Sequence, residues 1–489
     1  MIPYDAYEIV VGLEVHAQLL TESKLFCGDD ASFGGAPNTH ISPITMAHPG
    51  TLPMLNAKAV QYAIKMGLAC HCSITKYNYF ARKNYFYPDL PKGYQISQHT
   101  TPICVGGFVP IKVGDQEKNV QLNRIHLEED AGKSSHDLDP NYTCVDLNRA
   151  GVPLIEIVTE PDIHSADEAY AYLTEIRKKL RYLHVCDGNM EEGSMRCDAN
   201  ISVRKKGDTS LGTKVEVKNL NSIRNVKRAI ELEAKRLIEI LERGERIIQQ
   251  TRSFDANNGT TFALRDKEEA NDYRYFADPD LTPFQVTDEM LEEILSSIPE
   301  LPEQKMKRYQ ESLQLSAYDA AVISEELELS IYFEEIIEHL HATEDTLPSL
   351  AKAAANWIIG PVKSFLNDAN VDIPALPIKP ATIGQLILLI QKGTLNFSVA
   401  SSKIWNAILI QPHTDPLEIA ASLNLIQDSN EDSVAQWVDQ VIAAMPDKVA
   451  EYKKGKKGLI GLFVGEVKKL SKGKADPKIT NDLLIKKLQ

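Results

Sequence analysis

The run Ile9-Val-Val-Gly-Leu-Glu-Val-His-Ala-Gln-Leu19 alternates with a period of two, which sends Ile9, Val11, Leu13, Val15, Ala17 and Leu19 to one face and Glu14, His16 and Gln18 to the other. It predicts a half-buried strand that shows a carboxylate and an imidazole side by side. The same habit recurs further on. Residues 124–130 align His126, Glu128 and Asp130 with Glu129 opposite, and residues 154–160 align Glu156 with Glu160. Residues 198–204 align Asp198, Asn200, Ser202 and Arg204, and residues 214–218 align Lys214, Glu216 and Lys218. Two helices are read between these strands. Ser165-Ala-Asp-Glu168 is a capping box, followed at helical spacing by Ala169, Tyr172, Ile176, Leu180 and Leu183. From about Ser222, Ile223, Val226, Ile230, Leu237 and Leu241 share one face, with Gly244 near the end. Residues 1–295 are thereby read as one large α+β domain.

Beyond Pro299 the strand signal fades. Acidic amphipathic segments at 324–341 and 349–367 predict a helical domain over 296–410, interrupted at Pro374–Pro380, where proline removes amide hydrogens and restricts its predecessors. A last helical domain, 411–489, is expected to bury a stripe of Leu459, Leu462, Phe463, Val467 and Leu470 while its lysines stay solvated.

A chain of 489 residues exceeds one ordinary core, and its 43% apolar and 25% charged residues are those of a folded globular protein. The start has no basic region followed by an apolar core, so a cytoplasmic location is expected. Seven sparse cysteines do not form a secreted disulfide framework, and Cys70-His-Cys72 without a second pair argues for small buried side chains over a zinc site. The net charge of −15 speaks against nucleic acid only until its distribution is considered. Residues 451–489 carry eleven lysines against four acids, a basic tail on an acidic body. Lys453, Lys454, Lys456, Lys457, Lys468, Lys469, Lys472 and Lys474 are the cations expected to face a polyanion, with a solvated helix face as the alternative.

If the acidic strands are neighbours in one sheet, a single face gathers carboxylates and cations. Such oxygen clusters bind Mg²⁺ beside nucleotide phosphates, and the cations would neutralise a phosphoryl group in transfer. A solvated, salt-bridged face is the competing reading. Ala131-Gly-Lys-Ser134 lacks the earlier glycine of a phosphate loop, since that position is Leu127. No dinucleotide fingerprint or nucleophile triad is recognisable either.

Longer motifs run in order along essentially the whole chain. They are Val11-Gly-Leu-Glu-Val-His16, Arg82-Lys-Asn-Tyr-Phe-Tyr-Pro-Asp89, Tyr94-Gln-Ile-Ser-Gln98, His126-Leu-Glu-Glu-Asp-Ala-Gly-Lys133 and Asp146-Leu-Asn-Arg-Ala-Gly-Val-Pro-Leu-Ile-Glu156. Met190-Glu-Glu-Gly-Ser-Met-Arg-Cys-Asp-Ala-Asn200, Lys218-Asn-Leu-Asn-Ser222 and Asp272-Tyr-Arg-Tyr-Phe276 follow, before the Gly-Lys-rich tail. In these the chain resembles the B-subunit family of the aspartyl/glutamyl-tRNA(Asn/Gln) amidotransferases.

The resemblance implies an α+β cradle similar to glutamine synthetase and guanido kinases, followed by all-α helical and tail domains. It implies an ATP-dependent carbon–nitrogen ligase with glutamine as amido donor. ATP and Mg²⁺ serve to phosphorylate the side-chain carboxylate of Glu-tRNA(Gln) or Asp-tRNA(Asn), and ammonia displaces the phosphate. The polyanion facing the lysines of the tail is then tRNA. The implied partners in a heterotrimer are an amidase, which is the A subunit of the family, and a small third protein, the C subunit, so the ammonia comes from elsewhere. Carried over by motif, Glu14, His16, Glu128, Glu129 and Glu156 are the expected catalytic group, with Glu14, His16, Glu129 and Glu156 on Mg²⁺. Arg82 and Lys83 are expected at phosphate or substrate carboxylate, with Arg196, Asp198 and Lys218 in the same pocket.

One departure stands out. Where many relatives carry four cysteines resembling a zinc site, this chain has Cys27, Asp29, Ser42 and Thr45, and no zinc is expected. Two other functions remain open: a non-catalytic tRNA-binding scaffold for the amidase, and a small-molecule amide ligase, which the basic tail disfavours.

Overall fold

Alternating segments in the first part of the chain extend and pair, because a ladder satisfies their backbone groups while one face of each goes to apolar neighbours. The computed structural model describes residues 2–266, 273–341, 343, 345–426, 431–471 and 474–488. They form two compact units, Met1–Leu301 and Pro302–Gln489.

The first unit is built on strands β1 Tyr7–Gln18, β2 Ala81–Asn84, β3 Tyr94–Ser97, β4 Gln116–Glu129, β5 Pro153–Thr159, β6 Met195–Lys205, β7 Val215–Leu220, β8 Gln250–Asp255, β9 Thr260–Asp266 and β10 Phe276–Ala277. Among the described residues these make the main path of a thirteen-stranded sheet, in the order β9-β8-β7-β6-β1-β5-β4-β3-β2-β10. Only β7 and β8 run parallel along that path. The five strands with acidic faces, β7-β6-β1-β5-β4, are therefore consecutive neighbours. Their register sets His16 opposite both Arg196 and Glu156, Glu156 opposite His126, Glu14 opposite Asp198, and Asn200 opposite Glu216.

The reverse face is apolar. Leu13, Val15, Ala17, Ile125, Leu127, Ile155, Ile157, Ala199, Ile201, Val215 and Val217 are buried there, each large aliphatic side chain contributing about 1.5–3 kcal/mol. Three helices belong to the same hydrophobic core: α1 Ala57–Ala69, packed on β4; α3 Ile223–Glu242, packed on β6; and α2 Ala166–Tyr182, packed between the other two. Ser165 caps α2 by accepting from the Glu168 amide at 3.1 Å, while the Glu168 carboxylate accepts from the His164 amide instead of closing the usual reciprocal box. Ser222 caps α3 in the same way, at 3.1 Å from the Asn225 amide. Two residues past its end, Gly244 has a φ of +76°, which lets the Glu245 amide reach back to the Ile240 carbonyl.

The second unit is helical among its described residues, with hydrophobic clusters spanning 309–420 and 434–488. Pro374–Pro380 is not wholly free of helix: a 3-10 turn covers Ile373–Ala375, and Pro380 opens the helix Pro380–Gln391, a position where its missing amide hydrogen costs nothing. In the helix Ile460–Leu470 the expected stripe is narrower than its hydrophobic residues suggest. Phe463 and Val467 are buried and Leu459 is partly buried, but Leu462 and Leu470 are exposed. A period of four carries the inward face from Val467 to Ser471, which is buried in place of Leu470. No helix among the described residues is long and apolar enough to cross a membrane.

Candidate active site

The register turns five separate polar strand faces into one surface. His16 Nε2 lies 3.2 Å from Glu156 Oε2 and 3.6 Å from Glu128 Oε1, and His126 Nε2 lies 3.6 Å from Glu128 Oε2. Burial alone would lower the His16 pKa, but the hydrogen bond to Glu156 and the charges of Glu156, Glu128 and Asp198 outweigh it and raise the pKa to about 9. For Glu156, burial is outweighed by His126, His16 and Lys83, which hold its carboxyl below the ordinary range. Glu128 is likewise held down against burial, by His126 and Lys83.

A second group adjoins the first across β1. Glu14, Asp198 and Glu216 bring carboxylate oxygens within 4.8 Å of one another, and Asn200 donates to Glu14 at 3.0 Å. Burial and the like charges of Glu156, Asp198 and Glu216 raise the Glu14 pKa. Lys218 is hydrogen-bonded to Asp198 and lies 3.6 Å from Glu216. Toward the end of β4, Arg196 and Gln18 converge on buried Asp130, at 3.0 and 2.7 Å.

The donor atoms of His16, Glu128 and Glu156 also lie within 4.8 Å of one another. The two groups differ as metal sites. Three carboxylates suit Mg²⁺, a hard ion that takes oxygen ligands, whereas an imidazole with two carboxylates suits a borderline ion as well, and His16 must shed its proton to ligate.

Several expected residues are not in either group. Glu129, next to Glu128 on β4, points to the other side, where its carboxylate takes Lys92 Nζ at 2.5 and 2.6 Å and the Ile96 amide at 2.9 Å. Alternation along the strand is the cause. Arg82 and Lys83 divide in the same way. Arg82 pairs with Asp278 at 2.9 Å and Asp280 at 2.7 Å. For Lys83, burial would lower the pKa, but the field of Glu128 and Glu156 outweighs it and raises the pKa. Glu160 does not align with Glu156, because the register shifts between Val158 and Thr159 and Glu160 takes Asn123 instead, at 2.8 Å.

Sequence reasoning did not single out Lys24. It is wholly buried in a loop, and its ammonium donates to the His40 carbonyl at 2.7 Å, the Leu147 carbonyl at 3.3 Å and Thr45 Oγ1 at 3.5 Å. Thr45 in turn donates to Asp29 at 2.5 Å and lies 3.5 Å from Cys27 Sγ. No sequence period marks such a residue, since its partners are mostly backbone carbonyls. Tyr273 and Tyr275 were visible only inside a longer motif; Asp272 of that motif lies outside the described residues.

In the second unit Lys453, Lys454, Lys456, Lys457, Lys468 and Lys469 are exposed. Lys456 pairs with Glu451 at 3.0 Å, Lys469 with Glu466 at 2.5 Å, and Lys457 lies 4.3 Å from the Tyr452 ring centre. Lys474 is half-buried and donates to Asn424 at 2.7 Å, while Lys472 lies outside the described residues.

Comparison with known proteins adds kinship to this geometry. Residues 9–292 match the GatB/GatE catalytic domain family and residues 331–488 match the GatB domain family. The chain is 47% identical over 483 residues to the B subunit of the aspartyl/glutamyl-tRNA(Asn/Gln) amidotransferase of Thermodesulfovibrio yellowstonii, covering 99% of each. The proteins of the same description from Geobacter sulfurreducens, over 489 residues, and Chlorobium luteolum, over 483, are also 47% identical, again covering 99% of each chain.

Proposed function

We propose, since this chain belongs to the family of aspartyl/glutamyl-tRNA(Asn/Gln) amidotransferase B subunits, that the polar face of its sheet carries out the ATP-dependent amidation of a mischarged aminoacyl-tRNA. The observation that carries the reading is the unbroken order β7-β6-β1-β5-β4, which collects Glu14, His16, Glu128, Glu156, Asp198 and Lys218 on one face with Lys83 beside them. A glutamine-synthetase and guanido-kinase-like cradle over 1–295 is the fold this reading takes, with a helical domain over 296–410 and a tRNA-binding tail over 411–489.

A free carboxylate is a poor electrophile, and activation supplies the leaving group. A side-chain carboxylate oxygen of the esterified Glu or Asp attacks the γ-phosphorus of ATP as the bond to ADP breaks, giving an acyl phosphate. Ammonia then forms the C–N bond as phosphate departs. Mg²⁺, held by Glu14, Asp198 and Glu216 or by Glu128 and Glu156 with His16, would supply charge neutralisation at the phosphates. Lys83, Lys218 and Arg196 add fixed positive charge along the same face, where it stabilises the phosphoryl group in transfer.

The ammonia comes from a partner amidase. Burial pushes the thiols of Cys72, Cys104 and Cys197 far up and that of Cys186 up to about 12, which keeps these four of the seven cysteines protonated and poor as nucleophiles for opening glutamine. That amidase and a small third protein, the A and C subunits of the family, make up the rest of the heterotrimer. The cytoplasm, where aminoacyl-tRNA is made, is the place of work.

The test is ADP release by the chain assembled with its amidase. Release that requires Glu-tRNA(Gln) or Asp-tRNA(Asn) supports the reading. Amidation that consumes no ATP here would make the chain a scaffold, and ADP release with free glutamate alone would make it a small-molecule ligase.

A further inference from the structure

Beside the carboxylates, the polar face ends in a group of aromatic rings to which the reaction above gives no role. The rings of His99 and Tyr275 are stacked nearly parallel, 4.1 Å apart with 8° between their planes. Tyr273 follows at 6.1 Å from Tyr275, and Lys83 Nζ lies 5.0 Å from the Tyr273 ring centre. His99 is exposed and Tyr273 and Tyr275 are half-buried, so these rings are not sealed into a core. Tyr275 also feels the charges of Lys83, Glu128 and Glu156, which places it at the border of the carboxylate group.

The loop that carries the two tyrosines is held in an uncommon conformation. Arg274, between them, has φ +48°, the left-handed region that a long side chain rarely adopts. Asn84, the neighbour of Lys83 on β2, fixes it by donating its side-chain amide to the carbonyls of Tyr273 at 3.2 Å and Arg274 at 2.9 Å. Strain of this kind persists where surroundings over-determine it, and here it keeps both rings next to Lys83.

Resting on the reading above, we propose that the His99–Tyr275 stack with Tyr273 is a shelf for an adenine base whose phosphates lie toward Lys83 and the carboxylates. An aromatic face beside a fixed cation matches a nucleotide, which joins a flat π-system to a polyanion. Two reactants carry that ring: ATP, and the 3′-terminal adenosine of the tRNA.

The experiment compares Y275A and H99A with the ring-retaining Y275F in the assembled enzyme. It measures KM for ATP, KM for aminoacyl-tRNA and inhibition by inorganic tripolyphosphate, which has the charge without the base. Loss of one stack should raise the KM for ATP by roughly tenfold in Y275A and H99A, with Y275F and tripolyphosphate inhibition unchanged. If the tRNA end is the occupant, KM for tRNA rises instead, and replacing the terminal adenosine by cytidine costs the wild type but not Y275A. Unchanged constants for both substrates, or tripolyphosphate weakened as much as ATP, overturns the shelf while turnover persists. A wild type that forms no ADP with mischarged tRNA overturns the functional reading itself.

Discussion

Replacing Lys83 by methionine keeps most of the stem and removes one charge from the centre of the proposed site. The ammonium lies 5.0 Å from the Tyr273 ring centre and 5.9 Å from that of Tyr85, within the roughly 6 Å range of a cation–π interaction, each worth about 0.5–2 kcal/mol. It also helps hold Glu128 and Glu156 ionised. Those carboxylates keep His16 and His126 in K83M, so the sheet should stay folded. The two ring contacts bear on folding and are read by the melt, whereas the charge bears on catalysis and is read by kcat. A fixed group aimed at developing charge is worth about 3–4 kcal/mol, so kcat should fall roughly 10²–10³-fold, with KM for aminoacyl-tRNA little changed. K83R, which restores charge but not the compact ammonium, should recover only part of the rate. The assay is steady-state ADP release with mischarged tRNA, alongside a thermal melt. A K83M enzyme within about tenfold of wild-type kcat, or one whose whole defect is in KM, would refute the assignment of Lys83 to the phosphoryl group.

Three further outcomes are expected. K24M should lower the melting temperature of the first unit, because the carbonyls of His40 and Leu147 lose a buried cationic donor; a loss of about 1–3 kcal/mol by denaturant titration is expected, and an unchanged midpoint would mean that the loop repacks freely. In the second unit, burial would raise the Glu334 pKa, but hydrogen bonds from Lys305 at 2.6 Å, Tyr309 at 2.7 Å and Arg308 at 2.5 Å hold it below its ordinary value near 4.5. A depressed carboxylate stabilises above the unfolded pKa and loses that contribution as pH falls through the folded one, so the melting-temperature gap between wild type and E334Q should be widest near neutrality and close in acid. Changing Lys453, Lys454, Lys456, Lys457, Lys468 and Lys469 to Gln should weaken tRNA binding and flatten its log–log salt dependence by about 0.7–0.9 for each phosphate no longer engaged, whereas an unchanged slope would leave these lysines as a solvated face.

The strands were legible because a period of two survives any tertiary context in which one face is buried, and β1, β4, β5 and β6 all meet that condition. Which side chains share a face was therefore readable where a strand stays regular, including the opposition of Glu128 and Glu129, but not for Glu160, which lies past the register shift in β5. Which strands are neighbours was not readable, since pairing in a sheet built from residues far apart in sequence is fixed by the whole core and not by any local run. The grouping of Glu129 with Glu14, His16 and Glu156 came from kinship of motifs, and a motif carries no direction for its side chains. Lys24 shows another limit: a buried lysine satisfied by carbonyls looks, in sequence, like any solvated one. Leu470 shows a third, because hydrophobicity alone cannot choose between Leu470 and Ser471 when the packed face advances by four residues.

The site's geometry belongs to a register before it belongs to any residue. Because successive side chains alternate, a slip of one position between β1 and β5 would turn Val15 and Ala17 toward the carboxylates and bury Glu14 and His16 against the helices. The slip is opposed where β5 leaves the regular ladder. Its register on β4 shifts between Val158 and Thr159, and there the Thr159 hydroxyl accepts the Leu13 amide of β1 at 2.9 Å. Two residues earlier on β1, Val11 bridges Ile163 beyond the end of β5. A side chain thus replaces a backbone acceptor at the irregularity, and β1 stays locked to its neighbour on both sides of it. From that lock, His16 has no choice but to meet Glu156, and Glu156 to meet His126, so that three strands contribute to one group of ligating atoms while the irregularity itself remains outside it.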